Sequence, residues 1–580
     1  MAAVDNVYVE WISGDRNAIA QWDYGVAPDA TSSSTPTTMS TMASTDATDK
    51  KSKTKTKDPK STSSGSTPLP TAVKGGTAYH RVYRQTQLAF SETADQTDYG
   101  YYYWATKNVA NLTYQSGADT SVRTNFATNG KLPDTQDTNY RAIQNAYPVF
   151  GLAVDLGSVG TTAVSTLFVI GLAQQQAIQF DGANGIVSLP SLWTSYYSTD
   201  LAALSFFYND YATSESNFDS QLKTDAVAAG GQDYLTITSL AARHAFAATQ
   251  LVGTPTKTYI FLKEISSDGN TQTVDIIFPF HPILLYGNPG LLKLLLDPLF
   301  ENQEAGQYPH QYSMHDLGSH YPNATGHPLG NDEQQPLEEC GNMLIMTLAY
   351  AQRKQDTAYL TQHYKILQQW TQYLIQEALY PANQISTDDF AGSLANQTDL
   401  ALKGMIGIEA MAVIANLTGN AADGANYTAI AHSYITQWQD LGVAHNANPP
   451  HTALNYGAND TFGLLYNLYS DRELGLNLVP QSIYDMQSAF YPTISNKYGV
   501  PLDTRHSYTK DDWQMFAAAV ASKSTQAQAI SKLAAFINET PINRAFPDLY
   551  DTVTGDNNGI PQFVARPAQG GTFALLALPK

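Results

Sequence analysis

The chain has one cysteine, Cys340, in 580 residues. No intrachain disulfide and no cysteine-based metal site is therefore available to it. Basic residues are scarce: Lys and Arg number 32 against 52 Asp and Glu, a formal charge of −20. That sign disfavours nucleic acid and anionic membrane as partners. No uninterrupted apolar run reaches the ~18 residues that span a bilayer. No Walker A, G-x-S-x-G or dinucleotide fingerprint is convincing. The start, MAAVDNVYVEWISGD, lacks a basic-then-apolar leader and reads as a strand already in progress, so a processed or trimmed amino terminus is expected.

What is present suffices for large cores: 43% of residues are hydrophobic, and 36 are Tyr, while only 14% are charged. The length implies two or more domains, or one unusually large one. Seven N-x-T sequons, at Asn111, Asn323, Asn396, Asn416, Asn426, Asn459 and Asn538, fit a secreted or cell-wall-associated protein. Residues 31–66 are Ser/Thr/Lys/Pro-rich with almost no apolar side chains to offset ordering entropy. They read as a flexible insertion and a plausible O-glycosylation tract.

Up to about residue 195 the chain reads as β. Short runs at Val7–Trp11, Ala78–Tyr83, Gln87–Phe90, Tyr101–Ala105, Val149–Leu156 and Thr166–Leu172 are punctuated by Gly, Asn and Asp, which predicts a sandwich. From Ser198 the period changes. Helices are predicted at 198–213, 216–229, 233–249, 288–303, 336–354, 357–380, 398–416, 421–440, 460–474, 481–491, 510–522 and 525–539. A hairpin-like stretch, Thr258–Ile265 and Thr273–Phe278, lies between the third and fourth. The expected architecture is multidomain β + α: a β-sandwich over 1–195, then six helical hairpins over 196–580 closing into an (α/α)6 toroid. An open superhelix would give the same helix list.

Four of these helices (233–249, 336–354, 398–416, 510–522) are rich in small and apolar residues, as buried helices are. Each begins with acid: Asp233, Glu338–Glu339, Asp399 and Asp511–Asp512. If they form the inner ring, their N-termini meet at one mouth of the toroid. Each acid taken singly is explained by the helix dipole, which favours a carboxylate in the first turn by ~0.3–1 kcal/mol. Four at one rim suggest a shared site.

Several motifs, SMHDLGSHYPNATGH (313–327), EECGNMLIM (338–346), STDDFAGSLANQTDLALKG (386–404), PLDTRHSYTKDDW (501–513), YDTVTG (550–555) and FLKEISSDGN (261–270), resemble the fungal secreted glutaminase A family. The resemblance is long and collinear over the C-terminal ~380 residues and looser before them. It implies a glutaminase/asparaginase-type enzyme that hydrolyses L-glutamine to L-glutamate and ammonia outside the cell, with glutamine as small-molecule partner. Cys340, where the family pattern leads us to expect Ser, and the 31–66 insertion depart from that pattern.

Amide hydrolysis needs proton transfer and oxyanion stabilisation, and amino-acid recognition needs a carboxylate and a cation. Glu338, Glu339, Asp388, Asp389 and Asp316 are the catalytic candidates. Adjacent like charges raise one pKa, although neighbouring acids usually point apart, so one working member per pair is expected. Asp316 has an equally good reading as an Asx-turn residue. Arg505, Lys510 and Lys403, with Asp512, His315 and Asp233, are the substrate-binding candidates. Ser507–Lys510 matches S-x-x-K, a short pattern frequent by chance. Cys340 reads as a small buried side chain rather than a nucleophile. His310, His315, His320 and His327 fit no zinc spacing, so neither metal nor cofactor is expected. The rival readings are a glycoside hydrolase on the same toroid, or a non-catalytic wall-associated binding protein.

Overall fold

The structure, a computed structural model, describes residues 15, 17–29 and 73–579. The 31–66 tract and the strand expected at Val7–Trp11 lie outside the described residues. The chain divides into two compact units: one running to Ala177 and resuming at Pro190–Ser214, the other made of Ile178–Leu189 and Glu215 onward.

In the first unit, five antiparallel strands lie in the order Arg141–Ala142, Ile19–Ala27, Val73–Arg84, Tyr101–Val109, Phe168–Ala173. A second layer pairs Leu112–Ala118 with Pro148–Val154. The period-2 alternation of strands sends one face inward. Trp22 and Val82 pack on Phe150, and Ala78 and Trp104 on Leu112 and Leu152, so the two layers meet through two apolar clusters. Helix α1 (Asp119–Asn129) packs Val122 against Val149 and Ala153. Helix α2 (Asp200–Ser214) packs Leu204 among Ala27, Tyr79 and Tyr103. The expected boundary at 195/196 thus falls inside the returning segment of this unit. Gln87–Phe90, expected as a strand, is a turn in which Phe90 takes a positive φ of 61°.

The second unit is helical: α3 (Ser220–Ala247), α4 (Val274–Gly287), α5 (Gly290–Glu304), α6 (Pro336–Lys354), α7 (Thr357–Glu377), α8 (Thr398–Leu417), α9 (Ala421–Gly442), α10 (Leu468–Leu474), α11 (Gln481–Ile494), α12 (Asp511–Ala519), α13 (Lys523–Glu539), and a 3-10 stretch Pro567–Phe573 that runs into α14 (Ala574–Ala577). Contacts run from α4 to α6, α8, α10 and α12, then to the 567–577 segment and back to α4. The ring therefore closes, and the open superhelix is excluded. Its inner members are the apolar ones. Every residue from Val274 to Leu285 and from Leu337 to Ala351 is buried. Helix α8 is long and apolar enough to cross a membrane, yet 83% of its most apolar window lies buried inside this unit.

Two expectations about the ring need correction. The segment 233–249 is the second half of α3, which packs on α13 and the 567–577 segment as an outer element, and Asp233 there is exposed. Thr273–Phe278, read as a strand from its β-branched residues, is the start of α4 and one of the inner six. Its apparent hairpin partner pairs backward instead, Lys257–Leu262 on Thr249–Thr254. Pro279 and Pro282 disguised the helix, since Pro removes a backbone donor.

Candidate active site

The inner elements start at the same rim, and each start carries polar or charged groups. These are Thr273 and Asp275 on α4, Glu338 and Glu339 on α6, and Asp399 and Lys403 on α8. Tyr466 and Asn467 precede α10, Lys510 and Asp512 open α12, and Arg566 precedes the last stretch. Unsatisfied N–H groups and the dipole at helix starts favour carboxylates there. The loops that enter the inner helices add His315, Asp316, Asp388, Asp389, Asp503, Arg505 and Asp548.

These groups form a circuit around the ring. Asp275, His315 and Glu339 bring ligand atoms within 4.8 Å of one another. Glu339 accepts from Asn342 at 3.0 Å, Asn342 accepts from Lys403 at 2.7 Å, and Lys403 is ion-paired with Glu338. Glu338 also accepts from the Thr387 N–H at 3.4 Å, next to Asp388, which accepts from the Tyr466 hydroxyl at 3.0 Å. Tyr466 stacks on Trp513 with centroids 4.3 Å apart, and the Lys510 ammonium lies 4.7 Å from the Trp513 centroid. Lys510 pairs with Asp512 at 3.1 Å and approaches Asp548 at 3.8 Å. Arg566 links Asp548 at 3.7 Å to Glu264 at 3.3 Å. Glu264 accepts from Thr273 at 3.1 Å, which returns the path to α4. A cavity lined by Asp388, Asp399, Tyr466 and Asp503 lies against this network.

Burial sets the proton states. Desolvation raises Asp388 to about 7, against the pull of Lys510 and the Tyr466 hydrogen bond, with Glu338 and Asp503 adding to the rise. Its Oδ1 has no hydrogen-bond partner among the described residues. Glu264 is raised to about 8 by burial despite Arg566. Glu339, Asp399 and Asp511 are held well above the carboxylate range, in each case first by burial. Burial also outweighs Lys510 at Asp512, which rises to about 6. Asp316 goes the other way: burial opposes its charge, but hydrogen bonds from His315 and His327 hold it below the usual range.

A carboxyl that holds its proton more tightly folded than unfolded stabilises the fold below ~pH 4, and that contribution is lost as pH rises through the raised value. Asp388 and Glu264 place this loss between pH 4 and about 8. The unfolding temperature of the protein is therefore expected to fall from pH 5 to pH 8 at constant ionic strength. Scanning calorimetry checks this, and a rise over that range would contradict the raised values of Asp388 and Glu264.

The acid pairs divide as neighbours in sequence do. Glu338 turns to Lys403, while Glu339 turns to Asp275 and His315. Asp388 is buried. Asp389 is partly exposed, raised first by burial and then by Asp275. Asp316 both caps its loop through the Gly318 N–H at 2.7 Å and binds His315 at 2.8 Å and His327 at 2.7 Å. Lys403, expected to meet substrate, is fully buried over Phe278 and engaged by Glu338 and Asn342. Its stem crosses α6 where Gly341 leaves room, because a Cβ there would lie 2.6 Å from Lys403 Cγ. Lys510 is likewise buried between acids. Arg505 is the more accessible cation, with 31% of its side chain exposed, held on Asp503 and the Ala391 carbonyl. Asp233, exposed on α3, takes no part in the circuit around the ring. Ser507 binds Asp551 and Lys510 binds Asp512, so S-x-x-K forms no pair. Cys340 is buried, its Sγ accepts from the Ser313 N–H, and burial pushes its thiol up. His310 stacks on Tyr312, apart from the His315–His327 pair.

Asp275, Glu264, Asp548, Tyr466, Asp503 and Arg566 escaped the sequence reading. For Asp275 a signal existed. The apolar run 274–285 is longer than the 4–8 residues usual for a strand, and it opens with an acid like its sister helices.

A closed ring of six helical hairpins with a shared, enclosed carboxylate network at its rim is an enzyme-type six-hairpin architecture. Residues 231–576 match the glutaminase A six helical-hairpin domain, and residues 48–225 match a domain of unknown function, DUF5127. The chain belongs to the glutaminase A family. It is 58% identical to Glutaminase A of Aspergillus oryzae, over 99% of this chain and 77% of that one. It is 34% identical to a probable glutaminase of Arthroderma benhamiae, over 87% of this chain and 69% of that one. Among solved structures, a bacterial glucoamylase bound to acarbose aligns with a TM-score of 0.44 and 11% identity, covering 87% of this chain and 79% of that one.

Proposed function

We propose that this chain is an extracellular glutaminase that hydrolyses L-glutamine to L-glutamate and ammonia by carboxylate acid/base chemistry at the mouth of the toroid. The observation that carries the chemistry is Asp388: buried, raised to about 7, and with one oxygen lacking a partner among the described residues. A group poised near neutral pH accepts and returns a proton with little penalty either way. Asp388 as carboxylate takes a proton from water as its oxygen bonds to the γ-carboxamide carbon. It then returns that proton to nitrogen as the C–N bond breaks, which releases ammonia and leaves a γ-carboxyl group, whose remaining proton passes to ammonia to give ammonium and the γ-carboxylate. Lys510, which acts on Asp388 electrostatically, and the Tyr466 hydroxyl supply positive potential beside that site. Extracellular action is supported by the sequons, none of whose asparagines is buried.

Arg505 is the proposed anchor for the substrate α-carboxylate. Its contacts to Asp503 and Ala391 use Nε and one hydrogen on each terminal nitrogen, which leaves a pair of donors for a second carboxylate. Arg505→Lys is expected to raise KM for glutamine ~10-fold or more with kcat little changed, because Lys lacks the paired donors. Steady-state kinetics checks this, and an unchanged KM removes Arg505 from the substrate pocket.

The function itself is tested by ammonia release from glutamine and asparagine beside reducing-sugar release from a panel of glycosides. Sugar release without ammonia would transfer the chain to the glycosidase reading.

A further inference from the structure

We propose that Asp275, His315 and Glu339 form a binding site for one divalent transition-metal cation, Zn2+ or Mn2+. The three come from the first turn of α4, the loop after α5 and the first turn of α6. Their ligand atoms lie within 4.8 Å of one another. All three are more than nine-tenths buried. Asp275 Oδ1 and Glu339 Oε1 have no hydrogen-bond partner among the described residues. Two buried carboxyl oxygens in one cluster, neither with a hydrogen-bond partner among the described residues, leave desolvation uncompensated. His315 Nε2 lies 3.7 Å from Asp275 Oδ1, too far for a hydrogen bond.

That spacing suits an ion. Ligands at ~2.0–2.2 Å from a metal lie ~3–3.5 Å from one another, so side-chain shifts of about an ångström complete the shell. The imidazole is already prepared for the task. Its Nδ1 is bonded to Asp316 at 2.8 Å, and Asp316 is fixed in turn by His327 at 2.7 Å and the Gly318 N–H at 2.7 Å. A carboxylate on one ring nitrogen orients a metal-ligating His and strengthens the other nitrogen as a ligand. Glu339 is similarly held through its second oxygen by Asn342 at 3.0 Å. One imidazole with two carboxylates favours Zn2+ or Mn2+ over the all-oxygen shells of Ca2+ and Mg2+. Three protein ligands leave a coordination position of the ion unfilled by protein. Asp389 and Glu333, both partly exposed, stand within electrostatic reach of Asp275 and His315 and add negative potential beside the three ligands.

None of this depends on the glutaminase reading, and the experiment separates the two. Tag-free full-length protein, stripped with EDTA, is titrated with ZnCl2 and MnCl2 by calorimetry, with elemental analysis of the protein before stripping. The expected result is one equivalent bound by the wild type. Binding is lost in Glu339→Gln and Asp275→Asn with unchanged circular dichroism, and is weakened about 10–100-fold in Asp316→Asn, which leaves the three ligands but removes the carboxylate charge that orients the imidazole and strengthens it as a ligand. Absence of stoichiometric binding, or equal binding in Glu339→Gln and Asp275→Asn, would overturn the site. If those variants do not fold, anomalous scattering from wild-type crystals soaked in Zn2+ or Mn2+ decides. A peak bounded by the three side chains supports the proposal, and a peak elsewhere or none refutes it. Ammonia release plays no part in either measurement.

Discussion

Asp388→Asn is expected to lower kcat for glutamine by ~10²–10⁴-fold, the usual worth of a positioned general acid or base, while the protein keeps its fold. Asn matches Asp in shape, and its carbonyl oxygen can still accept the Tyr466 hydroxyl that bonds Asp388 at 3.0 Å. The substitution also replaces a buried titratable group by a neutral one, so the desolvation that raises Asp388 to about 7 no longer weighs on the folded state. Stability at pH 8 should therefore hold or rise as activity collapses, a combination that simple misfolding cannot produce. The wild-type profile of kcat/KM should show a limb near pH 7 that is absent from the residual activity of the variant. Steady-state kinetics over ~pH 5–9 with thermal unfolding on the same samples makes the comparison. Turnover within about threefold of wild type would remove Asp388 from the chemistry.

The second large effect concerns Glu338 and Lys403. The pair is buried, with Lys403 fully enclosed and Glu338 at 1% exposure. Breaking a buried ion pair from one side leaves a charge without water or partner, at ~3–5 kcal/mol. Glu338→Gln and Lys403→Met should each destabilise the helical unit by about that amount, a large share of a typical ~5–15 kcal/mol. The double variant should recover much of the loss, because it buries no unpaired charge. Asn342 and the Phe278 ring, 3.7 Å from Lys403 Nζ, soften the single Glu338 change but cannot replace a carboxylate. Urea unfolding of the four proteins gives the coupling energy. Additive losses would mean that the pair is not the anchor between α6 and α8 that its burial implies. Turnover should fall in all three variants, since Glu338 also receives the Thr387 N–H beside Asp388.

The pairing of acids with apolar helices was legible in the sequence. Helices α6, α8 and α12 announce themselves by small and apolar residues on every face, and their leading acids fall at one rim because all three run the same way through the ring. The same logic went wrong at Asp233. There the run of Ala and Leu belongs to α3, an outer element that packs its apolar stripe on α13 and the 567–577 segment while Asp233 stays in water. It also passed over Asp275, since β-branched residues and two prolines imitate a strand when neighbours in space are unknown. Lys403 and Arg505 looked alike as scarce cations. One is entombed against Glu338, while the other keeps donors near the surface, and nothing in their local sequence separates them.

Sequence alone determined the sandwich-then-hairpins order, three of the inner helices that carry acid (α6, α8 and α12), and the family. These depend on local period, on residue size and on motifs contiguous in the chain. Which carboxylate faces which partner was decided only by closure of the ring. Closure sets Asp275 beside Glu339 across more than sixty residues, joins Arg566 to Glu264 across three hundred, and strips water from them all. Charge states at a buried rim follow from that desolvation and from those long-range neighbours, and neither is written in any single stretch of chain.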